Sequence, residues 1–340
     1  MSISIIVPIY NASLYLRRCL DNIVKQLTDN IELILIDDGS TDDSYDICKE
    51  YEKSYNGIKL IRQTNRGVGV ARNNGLTNSS GDWVTFLDSD DFLSEDFYKI
   101  AEPFLHINRD IIFFNYITED IDKKNDVSDL SAPIDIEKKD NETLIKNCFL
   151  AKSITESSNV NLRSVWGKLI KRSFLISNNI FFDENVKIGE DMIFMLKIYS
   201  SLSSAFYVPS VIYHYHFSNP TSITNSFKPD LKIMIDCFNV SIAVWLILNP
   251  NYNIYFYNYR LNDLILYFKY DFFHKLNKSP KHNRKRMKQL FVKGEYKQFY
   301  NISKKNGLIK HYPFLKRLVF WLAIHNFYLT LRLIFKLKYN

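Results

Sequence analysis

Cysteine is scarce in this chain. Cys19, Cys48, Cys148 and Cys237 are scattered, and no two form a C-x-x-C pair. That excludes a disulfide scaffold and a structural zinc site, and it fits a reducing compartment. Glycine and proline are also few, 10 and 9 in 340 residues, which argues against a disordered chain. No uninterrupted apolar run reaches the roughly 20 residues of a membrane span. Residues 318–335 contain His325, Asn326 and Arg332, and residues 231–248 contain Lys232 and Asp236. No basic segment precedes the apolar start, Ile3-Ser4-Ile5-Ile6-Val7-Pro8, so it reads as the first strand of a domain and not as a signal peptide. There is no internal repeat.

What is present is a large apolar fraction, 46%, with 25 Phe and 22 Tyr, enough for a sizeable core. The net charge of +7 is unevenly spread. From Lys228 onward 21 Lys and Arg stand against 5 Asp and Glu, a net of +16; the residues before it carry 23 and 32, a net of −9. An acidic front and a basic back point to an anionic partner for the back.

Apolar runs at 2–9, 31–36, 58–61 and 82–87 read as strands. Helical patterns follow at 11–26, 41–55, 67–78 and 94–105, with Asn11 expected to cap the first. This alternation predicts a doubly wound, mostly parallel α/β sheet flanked by helices. A further strand is expected at 110–117, a polar surface excursion at 118–139 and a helix at 141–152. Another helix opens at Gly189-Glu190-Asp191, and a short strand is read at 211–216. Beyond Phe227 helical patterns dominate, at 231–248, 255–273 and 312–337. Two parts are therefore expected: residues 1–227, and a helical, basic region 228–340.

Three carboxylates stand within four positions in Phe86-Leu87-Asp88-Ser89-Asp90-Asp91, just past the carboxyl end of the fourth strand. Open α/β sheets place ligands there. Such a cluster suits a hard divalent cation held together with a substrate phosphate. An isolated D-x-D is more often an acidic surface turn. Here Asp37-Asp38-Gly39-Ser40-Thr41-Asp42 ends the second strand, and right-handed crossovers bring the two turns to one rim.

Several stretches together resemble the inverting family 2 glycosyltransferases. They are Val7-Pro8-Ile9-Tyr10-Asn11, Asp37-Asp38-Gly39-Ser40-Thr41-Asp42, Asn65-Arg66-Gly67 through Ala71-Arg72-Asn73-Asn74-Gly75, Leu87-Asp88-Ser89-Asp90-Asp91, and Gly189-Glu190-Asp191. Each is weak alone; five in the family's order carry weight, over roughly residues 2–225. The resemblance implies a GT-A type nucleotide-sugar-binding sheet, in agreement with the alternation of strands and helices. It implies that Pro8 and Tyr10 line the base pocket and that Asp38 contacts the base, where a helix cap is the plainer role. Asp88 and Ser89 would meet the donor, with Asp88 and Asp90 towards Mn2+ or Mg2+. Asp91 either supports that clamp or opens the next helix. Arg72 is read towards the diphosphate, or as an exposed helical arginine. His214 or His216 is a further candidate for the metal. Trp166, Lys168 and Glu190 fall on the acceptor side, against a core tryptophan and a surface lysine. Asp191 is the candidate general base.

The expected reaction moves one sugar, with inversion, from a UDP-hexose or UDP-N-acetylhexosamine to a lipid-linked saccharide. The expected setting is capsule, O-antigen or exopolysaccharide assembly at the cytoplasmic face. An interfacial helix is read from Phe314, Leu315, Leu318, Trp321, Leu322, Phe327 and Leu331, flanked by Lys316, Arg317, Lys336 and Lys338, as for an anionic membrane surface. Lys281–Lys288 is basic, but no nucleic-acid fold signature accompanies it. Nothing in the sequence sets an oligomeric state. Two other classes fit parts of the sequence. One is a catalytically retired carbohydrate-binding or scaffolding protein. The other is an NAD(P)-dependent oxidoreductase, suggested by Gly67-x-Gly69; but Arg72 stands at the third glycine, and the motif follows the third strand.

Overall fold

The computed structural model describes residues 1–119, 132–216, 231–268 and 280–339. It divides into two compact units, Met1–Asn219 and Pro220–Asn340.

The first unit begins with the expected alternation: β1 (Ile3–Ile9), α1 (Ser13–Val24), β2 (Ile31–Asp37), α2 (Ser44–Ser54), β3 (Ile58–Arg62), α3 (Val68–Thr77) and β4 (Trp83–Phe86). β5 (Phe92–Leu93), α4 (Phe97–Ala101), β6 (Ile111–Glu119), β7 (Ile134–Glu137), α5 (Asn141–Leu150), β8 (Lys168–Lys171), α6 (Arg172–Ser177), α7 (Glu190–Ser201) and β9 (Ser204–His216) follow. Among the described residues nine strands form one sheet, in the order β3-β2-β1-β4-β8-β6-β9-β5, with β7 also on β9. β3, β2, β1 and β4 are mutually parallel, as are β6 and β9. β8, β5 and β7 pair antiparallel. The alternation of strands and helices around one sheet is as expected from the sequence. β8, a four-residue strand between β4 and β6, was not read as a strand.

Every residue of β1 is buried because helices cover both faces of the sheet, so the strand is continuously apolar. α1 buries Leu16, Cys19, Leu20 and Ile23, a stripe at helical spacing, into the core formed with Ile5, Val7, Leu33 and Leu35. The strand order reverses at β1 and β4, so their carboxyl ends border the crevice where such sheets bind ligands.

Asn11 does not cap α1. Its backbone is left-handed (φ 49°), and its Oδ1 accepts the Thr41 N–H at 2.8 Å. The start of α1 is served instead by residues that follow β2. The Ala12 N–H donates to Ser44 Oγ at 2.8 Å and the Ser13 N–H to Asp42 at 3.1 Å. The helix expected at 94–105 is only α4 followed by a 3-10 turn, Glu102–Phe104, where Pro103 stands. The excursion expected at 118–139 contains β7, and its residues 120–131 lie outside the described ones.

The described part of the second unit is helical. It includes Leu231–Leu248, Asn253–Arg260, Asn262–Tyr267, Pro280–Met287 and Glu295–Lys305. The single helix expected at 312–337 is two, Phe314–Ile324 and Tyr328–Tyr339, broken where Asn326 takes a left-handed backbone (φ 67°). The break turns the expected apolar face into two kinds of surface. Phe314, Leu315, Trp321 and Phe327 are exposed, whereas Leu322 and Leu331 are core. Among the described residues no helix is long and apolar enough to cross a membrane. Residues 221–224, 228–230 and 269–273, also read from the sequence, lie outside the described ones.

Candidate active site

The site is built around Arg72. Gly67 (φ 100°) opens α3, and Gly75 lets that helix lie directly on Ile6 of β1, where a Cβ would collide. Arg72, one turn into α3, is thereby buried. Its Nη2 donates to Asp88 at 2.8 Å, just past β4, and its Nη1 pairs with Asp191 and, at 3.4 Å, with Glu190. Glu190 and Asp191 are the first two residues of α7, which Gly189 (φ 80°) turns into the crevice. One guanidinium thus gathers carboxylates from positions 88, 190 and 191. Burial alone would lower the arginine's pKa, but Asp191, Asp88 and Glu190 hold it charged.

Three acids around one base leave an excess of negative charge. Burial raises the Glu190 carboxyl to about 7, with Asp191 adding to it and Arg72 opposing. Burial also raises Asp191; Arg72, the Val165 amide and Lys168 pull it back towards the carboxylate. The Asp191 side chain keeps 22% of its surface exposed.

Asp91, left open by the sequence, is buried and supports the loop. Tyr213 Oη donates to Asp91 Oδ2, and the His216 N–H donates to Oδ1 at 2.7 Å. The Asp88 N–H reaches the same tyrosine oxygen at 3.4 Å. Burial, then the charges of Asp88 and Asp90, push Asp91 up to about 8. Tyr213 was missed as a site residue; its signal was only an alternating Tyr-His-Tyr-His strand.

Tyr10 is exposed just past the end of β1, and Pro8 is buried within it. Asp38 is buried and caps no helix. It accepts the Gln63 side-chain amide at 2.8 Å, the Arg66 N–H at 2.9 Å and the Gly67 N–H at 2.8 Å. It therefore fixes the loop that enters α3, with one lone-pair direction left for a ligand. Gly39 (φ 75°) is packed so closely on Asn65 that no Cβ fits.

Trp166 is the core tryptophan of its plainer reading, whereas Lys168 is not a surface lysine. Trp166 is buried in an aromatic stack, 4.6 Å from Tyr213 and 5.7 Å from Tyr215. Lys168 is buried too, and donates to the carbonyls of Asn161, Ser164 and Trp166 at 2.8, 2.8 and 3.0 Å. Lys168 faces inward because β8 is an interior strand, and Trp166 lies in the buried stretch just before it. Arg72, likewise, is not an exposed helical arginine.

Among the described residues no group of three or more His, Cys, Asp or Glu is placed to hold a metal ion. Neither histidine completes one. His214 stacks on Phe92 at 4.6 Å, with Nε2 3.1 Å from Ser94 Oγ, and His216 packs on Tyr15. Asp88 and Asp90, with Ser89 between them, are half-buried at the rim. Two hard oxygen donors without a cage fit Mn2+ or Mg2+ on condition that a phosphate supplies the remaining ligands.

The sheet, its crevice and the acids along its rim define an α/β protein of the GT-A class. A family model described as Glycosyl transferase family 2 matches residues 4–175, and the chain belongs to that family. Glycosyltransferase GlyA of Streptococcus pneumoniae is 35% identical over 215 residues, 63% of this chain and 30% of that protein. The minor teichoic acid biosynthesis protein GgaB of Bacillus subtilis is 35% identical over 219 residues, 62% of this chain and 22% of that one. The chain thus matches under a third of the length of either relative. The crystal structure of S. aureus TarS 1-349 in complex with UDP-GlcNAc is similar in fold, with a TM-score of 0.58 at 19% identity, covering 100% of this chain and 93% of that chain.

Proposed function

We propose that this protein transfers one sugar, with inversion, from a UDP-hexose or UDP-N-acetylhexosamine to a hydroxyl of a lipid-linked saccharide in surface-polysaccharide assembly. The observation that carries the reading is the Arg72 bridge between Asp88, on the donor rim, and Asp191, at the start of α7. Asp191 takes the proton of the acceptor hydroxyl as its oxygen attacks the anomeric carbon opposite the departing diphosphate. Asp88 and Asp90 would hold Mn2+ or Mg2+, which would supply charge neutralisation at the diphosphate. Arg72 keeps Asp191 ionised and aimed; Asp38 and Tyr10 border the space for the base. The family supports glycosyl transfer. The UDP-GlcNAc bound by TarS and the teichoic acid role in GgaB's name support the donor and pathway classes. The +16 charge of residues 228–340 and the exposed Phe314, Trp321 and Phe327 support a peripheral site on an anionic cytoplasmic membrane face.

Asp191→Asn tests the reading. Screening nucleotide sugars by thermal shift with Mn2+ identifies the donor. The variant should bind that donor as the parent does, while transfer falls by about 10²–10⁴. Unchanged turnover refutes the assignment of the base.

A further inference from the structure

Three donors hold Asp38. The Gln63 side-chain amide and the Arg66 N–H reach its Oδ1, and the Gly67 N–H reaches its Oδ2. Two of the three are backbone groups and cannot turn over. The third, Gln63, is a carboxamide whose direction has to be set. Asn74 Nδ2 donates to Gln63 Oε1 at 2.8 Å, Asn78 Nδ2 to Asn74 Oδ1 at 2.9 Å, and Lys59 Nζ to Asn78 Oδ1 at 3.0 Å. Four side-chain hydrogen bonds thus run in one line. They start at an exposed lysine on β3, pass through Asn78 at the end of α3 and Asn74 one turn earlier, and finish on a buried carboxylate past β2. The ends fix the direction, because an ammonium only donates and a carboxylate only accepts. Each amide between them turns its oxygen towards Lys59 and its nitrogen towards Asp38. Reversing any one sets oxygen against oxygen on one side and nitrogen against nitrogen on the other. Apolar side chains of the same shape would pack α3 on the edge of the sheet as well as paired amides do. What the line adds is an orientation.

We propose that Lys59, Asn78, Asn74 and Gln63 are positioning residues for Asp38: a one-way line of hydrogen bonds that keeps an N–H on Oδ1 and leaves the open lone pair of Oδ2 for an N–H of the donor's base. The proposal rests on the reading that Asp38 borders the space for the base. If the Gln63 amide turned over, its oxygen would face the carboxylate. Asp38 would then lose one of its three donors and swing away from the repulsion, taking Oδ2 with it.

The test is the affinity for UDP, measured by titration calorimetry with Mn2+, with thermal melting to verify the fold. Asn74→Asp keeps the shape of the side chain but removes the N–H that Gln63 Oε1 receives. The Gln63 amide then turns over to donate to residue 74. UDP binding should weaken by about tenfold or more. Asn74→Ala takes the partner away without forcing the reversal. Thr77→Asp, exposed on the same helix, adds an equal charge outside the line. Both should cost less than Asn74→Asp. A loss in Asn74→Asp no greater than in either comparison overturns the proposal. Packing alone would make the truncation the worse change, and charge alone would make the two aspartates equal. If Asn74→Asp does not fold, Gln63→Met is read instead. It removes the side-chain donor at Oδ1 and should weaken UDP binding by a similar factor; affinity equal to the parent's overturns the proposal. Asp38→Ala separates the two ways of failing. If it binds UDP as the parent does, or the parent has no affinity for UDP, the reading of Asp38 at the base falls and the line's purpose with it. If Asp38→Ala loses affinity while Asn74→Asp keeps it, the line alone falls.

Discussion

Replacing Arg72 by methionine would leave Asp88, Glu190 and Asp191 around a shorter side chain with no charge. Removing one partner of a buried ion pair costs about 3–5 kcal/mol, because the other charges stay desolvated. The loss is read from the urea midpoint. A variant as stable as the parent would mean that the three acids relax into solvent. Glu190 gives a prediction in pH. Its carboxyl is raised from 4.5 to about 7 in the folded protein, burial being the main cause. The folded state therefore binds the proton more tightly than the unfolded chain. The stability this contributes is complete below 4.5 and is lost as pH rises through about 7. Glu190→Gln cannot ionise, so relative to the parent it should gain on the order of 2 kcal/mol between pH 5 and pH 8. Equal differences between the two proteins' urea curves at both pH values would refute the shift. At this scale the acids themselves were legible, because capping turns and strand ends announce them. Their partner was not: Arg72 sits on a helix of weak periodicity, and only packing against Ile6 and residue 182 turns it inward.

Strands and helices in the first half follow from the alternation of buried apolar runs and capped amphipathic stretches, a signal that survives without tertiary context. What failed were the ends. Asn11 was read as a cap from its position before an apolar stripe, whereas the N–H groups at the start of α1 are satisfied by Ser44 and Asp42, 32 and 29 residues away. Such cross-loop capping has no local signature. It makes one prediction. Ser44 is buried and its hydroxyl accepts the Ala12 N–H, so Ser44→Ala should cost about 1–2 kcal/mol through an orphaned amide. Thr41→Ala, at an exposed position, should cost less. If chemical denaturation finds the two equal, the cap is not made by Ser44. β8 escaped notice for a related reason. Four residues with a lysine at each end look like surface, until one lysine is seen to spend all its donors inside.

For the whole chain, the asymmetry of charge was plain in the sequence but the division of its apolar surface was not. A continuous helix over 312–337 would have offered one stripe to a membrane. The break at Asn326 commits Phe320, Ala323 and Leu331 to the core and leaves Phe314, Leu315, Trp321 and Phe327 outside. Deleting the C-terminal helices would therefore remove core as well as surface, and loss of membrane binding would then report unfolding. Substituting the exposed residues alone avoids this. Burying a large apolar side chain is worth about 1.5–3 kcal/mol, and about 1.4 kcal/mol is a factor of ten in affinity. Phe314→Ser with Trp321→Ser should therefore weaken binding to vesicles containing phosphatidylserine or phosphatidylglycerol by at least about tenfold, with thermal stability nearly unchanged. Binding by the parent should fall as salt rises from low to moderate concentration, because the +16 region works through screened attraction. Equal sedimentation of parent and double variant with anionic vesicles would remove these residues from any membrane contact, and binding indifferent to salt would remove the basic region.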